Sequence, residues 1–104
     1  MKKGGQAMTR QGVVTNVRDN VATATTDIPK GTKVSMFVEE NEMQVIVNQD
    51  IPFGHKFAIK KIPKGENVIK YAESIGVATK DISVGDHVHV HNVDSERGRG
   101  DLLF

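Results

Sequence analysis

Four copies of one five-residue device set the frame of this chain. They are Asp27-Ile28-Pro29-Lys30-Gly31, Asp50-Ile51-Pro52-Phe53-Gly54, Lys61-Ile62-Pro63-Lys64-Gly65 and, with serine in place of proline, Asp81-Ile82-Ser83-Val84-Gly85. Each reads as a turn anchored in the core. The isoleucine plugs apolar space, the proline fixes φ at the second turn position, and the glycine supplies a backbone angle that other residues resist. Successive copies start 23, 11 and 20 residues apart, so there is no regular solenoid period. A chain punctuated this often has room only for short strands.

The segments between the turns fit that frame. Gly12 to Val17 and the Thr- and Val-rich run Val21 to Thr26 flank the turn composition Arg18-Asp19-Asn20 and read as a hairpin. Lys33 to Val38 and Glu42 to Val47 alternate around an acidic tip at Glu39-Glu40-Asn41-Glu42. Phe57 to Lys60, Asn67 to Tyr71 and Gly76 to Lys80 are shorter strands, with a helical turn as the alternative for Lys70 to Ile75. The expectation is one small all-β domain over residues 12–93. A loose N-terminus over 1–11 precedes it, and a charged, glycine-rich tail over 94–104 follows. That tail ends in Leu102-Leu103-Phe104, an apolar end suited to docking on a partner.

Composition narrows the partners. Fourteen basic and 13 acidic residues leave a net charge of +1, and aromatics are limited to Tyr71 and four phenylalanines. Neither phosphate neutralisation nor base stacking has support, so no nucleic-acid partner is expected. No apolar run of about 18 residues is present, so no membrane span is expected. The start Met1-Lys2-Lys3-Gly4-Gly5 lacks the apolar run of a secretory signal. The chain has no cysteine, which excludes disulfides and thiolate zinc sites and fits a reducing compartment such as the cytoplasm.

The chemistry is concentrated in Gly85-Asp86-His87-Val88-His89-Val90-His91-Asn92-Val93, which holds three of the four histidines. On a strand, successive side chains alternate faces. His87, His89 and His91 then share one face, with Val88 and Val90 turned to the core. Imidazoles at i and i+2 can converge on one ion, or one can bind metal while another moves a proton. The alternative is a polar strand face with no chemistry. The fourth histidine, His55, follows the second turn and precedes Lys56. A neighbouring lysine would disfavour the charged imidazole and keep it neutral as a base or ligand; the alternative is a solvated loop histidine beside a solvated lysine. Lys70, between Ile69 and Tyr71, is a third candidate, set against the reading of a snorkelling surface lysine.

Four stretches carry a family resemblance: Asp19 to Ala24, Ile51 to Ala58, Val68 to Tyr71 and Gly85 to Asn92, with Arg97-Gly98-Arg99-Gly100-Asp101 also fitting. The chain resembles the small SAF domain of altronate and galactarate dehydratases from about Gly12 to Asp101. Ala72 stands where many relatives have glycine, and Asp86 where many have glutamate. The resemblance implies a β-clip fold. In many relatives this domain precedes a large catalytic domain, and in others, including sulfolactate sulfo-lyase, it is a separate small subunit. Ending where the large domain would begin, this chain is expected to take the separate form.

What the resemblance implies chemically is a lyase that removes water from a sugar acid with a divalent metal, Fe(II) or alternatively Mn(II). His55, Lys56 and His91 are then the catalytic candidates, His87 and His89 the metal ligands, and Asn92, Lys70 and Asn20 the substrate contacts. Carboxylate ligands would come from a large lyase subunit, with homo-oligomerisation also open. Two alternatives remain at this point: the small subunit of a sulfolactate sulfo-lyase, and a non-catalytic β-clip binding module.

Overall fold

A computed structural model describes residues 11–95 and contains only strands and turns. The strands are β1 (Gly12–Val13), β2 (Val21–Ala24), β3 (Lys33–Val38), β4 (Asn41–Ile46), β5 (Lys56–Ala58), β6 (Asn67–Lys70), β7 (Glu73–Ala78), β8 (His87–Val88) and β9 (Val93–Asp94). They form a four-stranded sheet in the order β1-β2-β5-β8, the β3-β4 hairpin, and a three-stranded sheet in the order β6-β7-β9, all antiparallel. The all-β expectation holds. Among the described residues no helix is long and apolar enough to cross a membrane.

The four repeated turns lock together in two pairs. Ile28 and Ile51 exchange both backbone hydrogen bonds at 2.8 Å, and Ile62 and Ile82 do the same at 2.9 Å. Each turn glycine then donates to the partner arm, four residues before the partner isoleucine. Gly31 bonds Val47, Gly54 bonds Ala24, Gly65 bonds Ala78 and Gly85 bonds Ala58. In the first pair the aspartates close the brace reciprocally: Asp50 Oδ1 accepts the Lys30 N–H and Asp27 Oδ1 the Phe53 N–H, both at 2.8 Å. The irregular spacing along the sequence thus conceals a repeated device in space.

One detail differs from expectation. Pro29, Pro52 and Pro63 each accept the closing hydrogen bond, from Thr32, His55 and Glu66, so proline occupies the first turn position and not the second. The glycines sit at the third position with φ of 85–93°, the conformation a type II turn requires there.

Two apolar clusters make the core. One gathers Ala22, Ala24, Ile28, Val34, Met36, Val45, Val47, Ile51, Phe57 and Ile59; the other gathers Val21, Ala58, Ile62, Val68, Ala78, Ile82, Val88 and Val93. β2 and β5 form the septum between them. Alternation sends Ala22, Ala24 and Phe57 to one side and Val21 and Ala58 to the other. Full burial of Phe57 contributes on the order of 2–3 kcal/mol.

Several boundaries move. Tyr71 and Ala72 both have positive φ, 57° and 63°, so Lys70 to Ile75 holds a two-residue mirror-image hairpin turn and the start of β7, not a helical turn. The strand read over the histidines is also shorter. β8 ends at Val88, and a turn closed by the Asn92 N–H on the His89 carbonyl follows. Val90 lies at the tip of that turn and is 61% exposed, which corrects its reading as a core residue, whereas Val88 is fully buried. Asp94 pairs with Val77 in β9, so ordered pairing runs past the expected boundary at 93. The readings of 1–10 and 96–104 as loose segments lie outside the described residues.

Candidate functional site

β5 and β8 bring the histidines together by register. Lys56 opposes Val88 and Phe57 opposes His87. Continuing that antiparallel register sets His55 opposite His89, with His87 on the diagonal. His55 is held at the mouth of β5 by its own turn, its N–H donating to the Pro52 carbonyl at 2.9 Å and its carbonyl accepting from the Ala24 N–H at 2.8 Å.

The rings form a stack. The His55 and His89 centroids are 4.3 Å apart, His55 and His87 5.1 Å, and His87 and His89 5.6 Å, with interplanar angles of 23°, 21° and 12°. His91 tilts against His87 at 5.2 Å. His55 Nδ1 lies 2.9 Å from His87 Nε2. One nitrogen of each of His55, His87 and His89 falls within 4.8 Å of the others, the kind of set that could hold a metal ion. All three are part-buried.

Electrostatics favour the neutral, ligating form. Burial foremost, then the neighbouring His91, His55 and His89, lower the His87 pKa to about 4. Burial, then His55, Lys56 and His91, lower that of His89. A neutral imidazole offers a lone pair that an imidazolium does not. Nitrogen donors of this type suit Fe, Zn, Ni or Cu better than Mg or Ca, which prefer oxygen. Three imidazoles placed like this would therefore suit a borderline transition metal.

The two lysines are near enough for their charges to interact. Lys56 is buried on β5, and burial, then the charge of Lys70, lower its pKa. Lys70 ends β6 with its Nζ 4.8 Å from the Tyr71 ring centroid.

Both asparagines are engaged with backbone, which the sequence reading did not foresee. Asn20 Oδ1 accepts the Ile69 N–H at 2.7 Å and its Nδ2 donates to the Asn67 carbonyl at 3.0 Å, tying β6 to the loop before β2. Asn92 Oδ1 accepts the His89 N–H at 3.0 Å and its Nδ2 donates to the His87 carbonyl at 2.9 Å. Their amides hold the frame rather than reach outward. Two further polar residues escaped the sequence reading. Gln49 Oε1 accepts the His87 N–H at 2.8 Å. Asp19, almost fully buried, accepts from the Thr15 hydroxyl and from the Ala72 N–H. Only the turn composition around Asp19 signalled it; nothing local signalled Gln49, whose role depends on a contact 38 residues away.

Comparison with known proteins follows the same lines. The sequence model of the altronate/galactarate dehydratase SAF domain matches residues 10–96. The altronate dehydratase of Escherichia coli (strain K12) is 50% identical over 74 residues, 71% of this chain and 14% of that protein. That of Bacillus subtilis (strain 168) is 40% identical over 75 residues, again covering 14% of the relative. The (2R)-sulfolactate sulfo-lyase subunit alpha of Paracoccus pantotrophus is 42% identical over 59 residues, 57% of this chain and 88% of that subunit. The matched part thus spans about a seventh of the dehydratases and most of that sulfo-lyase subunit.

Proposed function

Because this chain belongs to the altronate/galactarate dehydratase SAF-domain family, we propose that it supplies the histidine and lysine half of a lyase active site that removes water from a sugar acid. The observation that carries this reading is the convergence of His55, His87 and His89 on one part-buried spot, with His91 beside them. A packed core has no need of three stacked imidazoles with a fourth tilted against them.

In this reading His87 and His89 hold a divalent ion, Fe(II) or Mn(II), with His55 as the third nitrogen. When bound, such an ion supplies Lewis-acid polarisation of the substrate carboxylate and 2-hydroxyl and acidifies the C2 proton. His91, exposed at the rim, carries protons between the site and solvent: the C2 proton is removed and the departing 3-hydroxyl is protonated. Lys56, with Lys70 beside it, provides positive charge for the substrate carboxylate. Oxygen ligands and the walls that exclude water come from a large lyase partner, on a separate polypeptide or on the same one. The working compartment is the cytoplasm.

A second reading keeps the same site and changes the leaving group from water to sulfite. It is favoured by the extent of the match to the sulfo-lyase alpha subunit, 88% of that protein. The test is reconstitution with the large lyase partner, assaying keto-acid formation from altronate and galactarate beside sulfite release from sulfolactate. The proposal expects turnover of a sugar acid that His89→Ala abolishes. Sulfite release alone supports the second reading, and unchanged turnover in His89→Ala overturns both.

A further inference from the structure

Among the described residues β8 is an edge strand, and its pairing with β5 leaves the backbone of His87 facing outward. Ala58 donates to the Asp86 carbonyl at 2.9 Å, so the ladder bonds to β5 flank His87 and its own N–H and C=O point away from that sheet. Exposed strand-edge groups of this kind need partners. Here three groups are satisfied by two side-chain amides: the His87 N–H by Gln49 Oε1, the His87 C=O by Asn92 Nδ2, and the His89 N–H by Asn92 Oδ1. One amide bonding the carbonyl of residue 87 and the N–H of residue 89 reproduces what the peptide groups of a residue in a neighbouring parallel strand would do. Asn92 is 6% exposed, so the substitute strand is itself packed in place.

We propose that Asn92 is a positioning residue for the histidine site: its buried amide does the bonding of a neighbouring strand and fixes the spacing of His87 and His89. The inference rests on the reading of these histidines as a metal site for its functional meaning, but not for its geometry. Asparagine is required because only a primary amide presents a donor and an acceptor together at this reach. Aspartate keeps the acceptor for the His89 N–H and loses the donor to the His87 carbonyl. Alanine loses both.

The test compares the full chain with Asn92→Ala, Asn92→Asp and, as a control of general destabilisation, Val68→Ala, which thins the core cluster under the same sheet. Long-range ¹H–¹⁵N spectra of the metal-free proteins read the imidazole nitrogens. Asn92→Ala should shift the His87 and His89 nitrogens and remove the signature of the His55–His87 hydrogen bond, while Val68→Ala leaves all three in place. Asn92→Asp, nearly isosteric, should move His87 more than His89, and it decides the matter if the alanine variant does not fold. Cobalt(II) titration should then show a tenfold or greater loss of affinity in Asn92→Ala and none in Val68→Ala. Imidazole spectra of the Asn92 variants that coincide with wild type overturn the inference. Wild-type protein that takes up no cobalt(II) removes the metal reading instead, and the imidazole spectra still decide the positioning role.

Discussion

His55 Nδ1 and His87 Nε2 lie 2.9 Å apart, joining a turn residue to a strand residue 32 positions away. One nitrogen must donate and the other accept, so at least one of the two imidazoles is neutral. Burial and the surrounding histidines place that neutrality on His87, whose pKa is lowered to about 4.

A pH dependence follows. In the unfolded chain His87 takes up its proton near the ordinary value of 6.5, whereas in the fold it does so only near 4. Between these values the unfolded state binds more protons, so stability falls as pH falls. Above 6.5 the group adds no slope. Urea midpoints should drop from pH 6.5 to pH 4, modestly because His87 is part-exposed, and His87→Asn should flatten that decline. A wild-type midpoint that rises on acidification over this window contradicts the assignment.

The two valines between the histidines should separate. Val88→Ala removes fully buried methyls and should cost about 1–3 kcal/mol. Val90→Ala, at the exposed turn tip, should stay within about 0.5 kcal/mol. Equal losses in a denaturant melt would mean that the turn after β8 is misplaced.

Ala72→Gly should stabilise the protein. Ala72 holds φ at +63° in a two-residue turn that favours glycine. Relief of that strain, less the entropy glycine loses on folding, is worth about 0.5–1 kcal/mol. The Asp19 carboxylate, which accepts the Ala72 N–H, steadies the same turn. A lower melting temperature for the glycine variant would count against the turn geometry.

The turn glycines should not be equivalent. Alanine at Gly31 meets nothing within 4 Å and suffers only its backbone angle, costing about 1–2 kcal/mol. At Gly85 a Cβ would stand 2.2 Å from the Ile46 carbonyl oxygen, so alanine there should cost more, about 3 kcal/mol or above. Melts of the two variants check the order.

Much of this was legible in the sequence because it is local. The isoleucine–glycine turns, β3 with its acidic tip and the hairpin of β1 and β2 all follow from alternation and turn chemistry. Pairing was not legible. That Ile28 seeks Ile51 and Ile62 seeks Ile82 depends on contacts 20 or more residues apart, which no short window encodes. The histidine stretch shows the same division. Its alternation pointed His87 and His89 to one side and buried Val88, yet the turn after Val88 exposed Val90, because Asn92 folds back onto the strand. His55 joined the set through the β5–β8 register, and Asn20 and Asn92 proved to be backbone clamps for reasons visible only in three dimensions.

In the proposed site His55, His87 and His89 together hold one metal ion. This is tested most directly by anaerobic equilibrium dialysis of Fe(II) against the full chain at pH 7.5, beside His89→Ala, with a urea melt of each. Wild type should take up one ion per chain, and the variant should melt within about 0.5 kcal/mol of wild type but have lost that ion. A wild-type chain that binds no Fe(II) or Mn(II), or a His89→Ala variant that retains full binding, would contradict it.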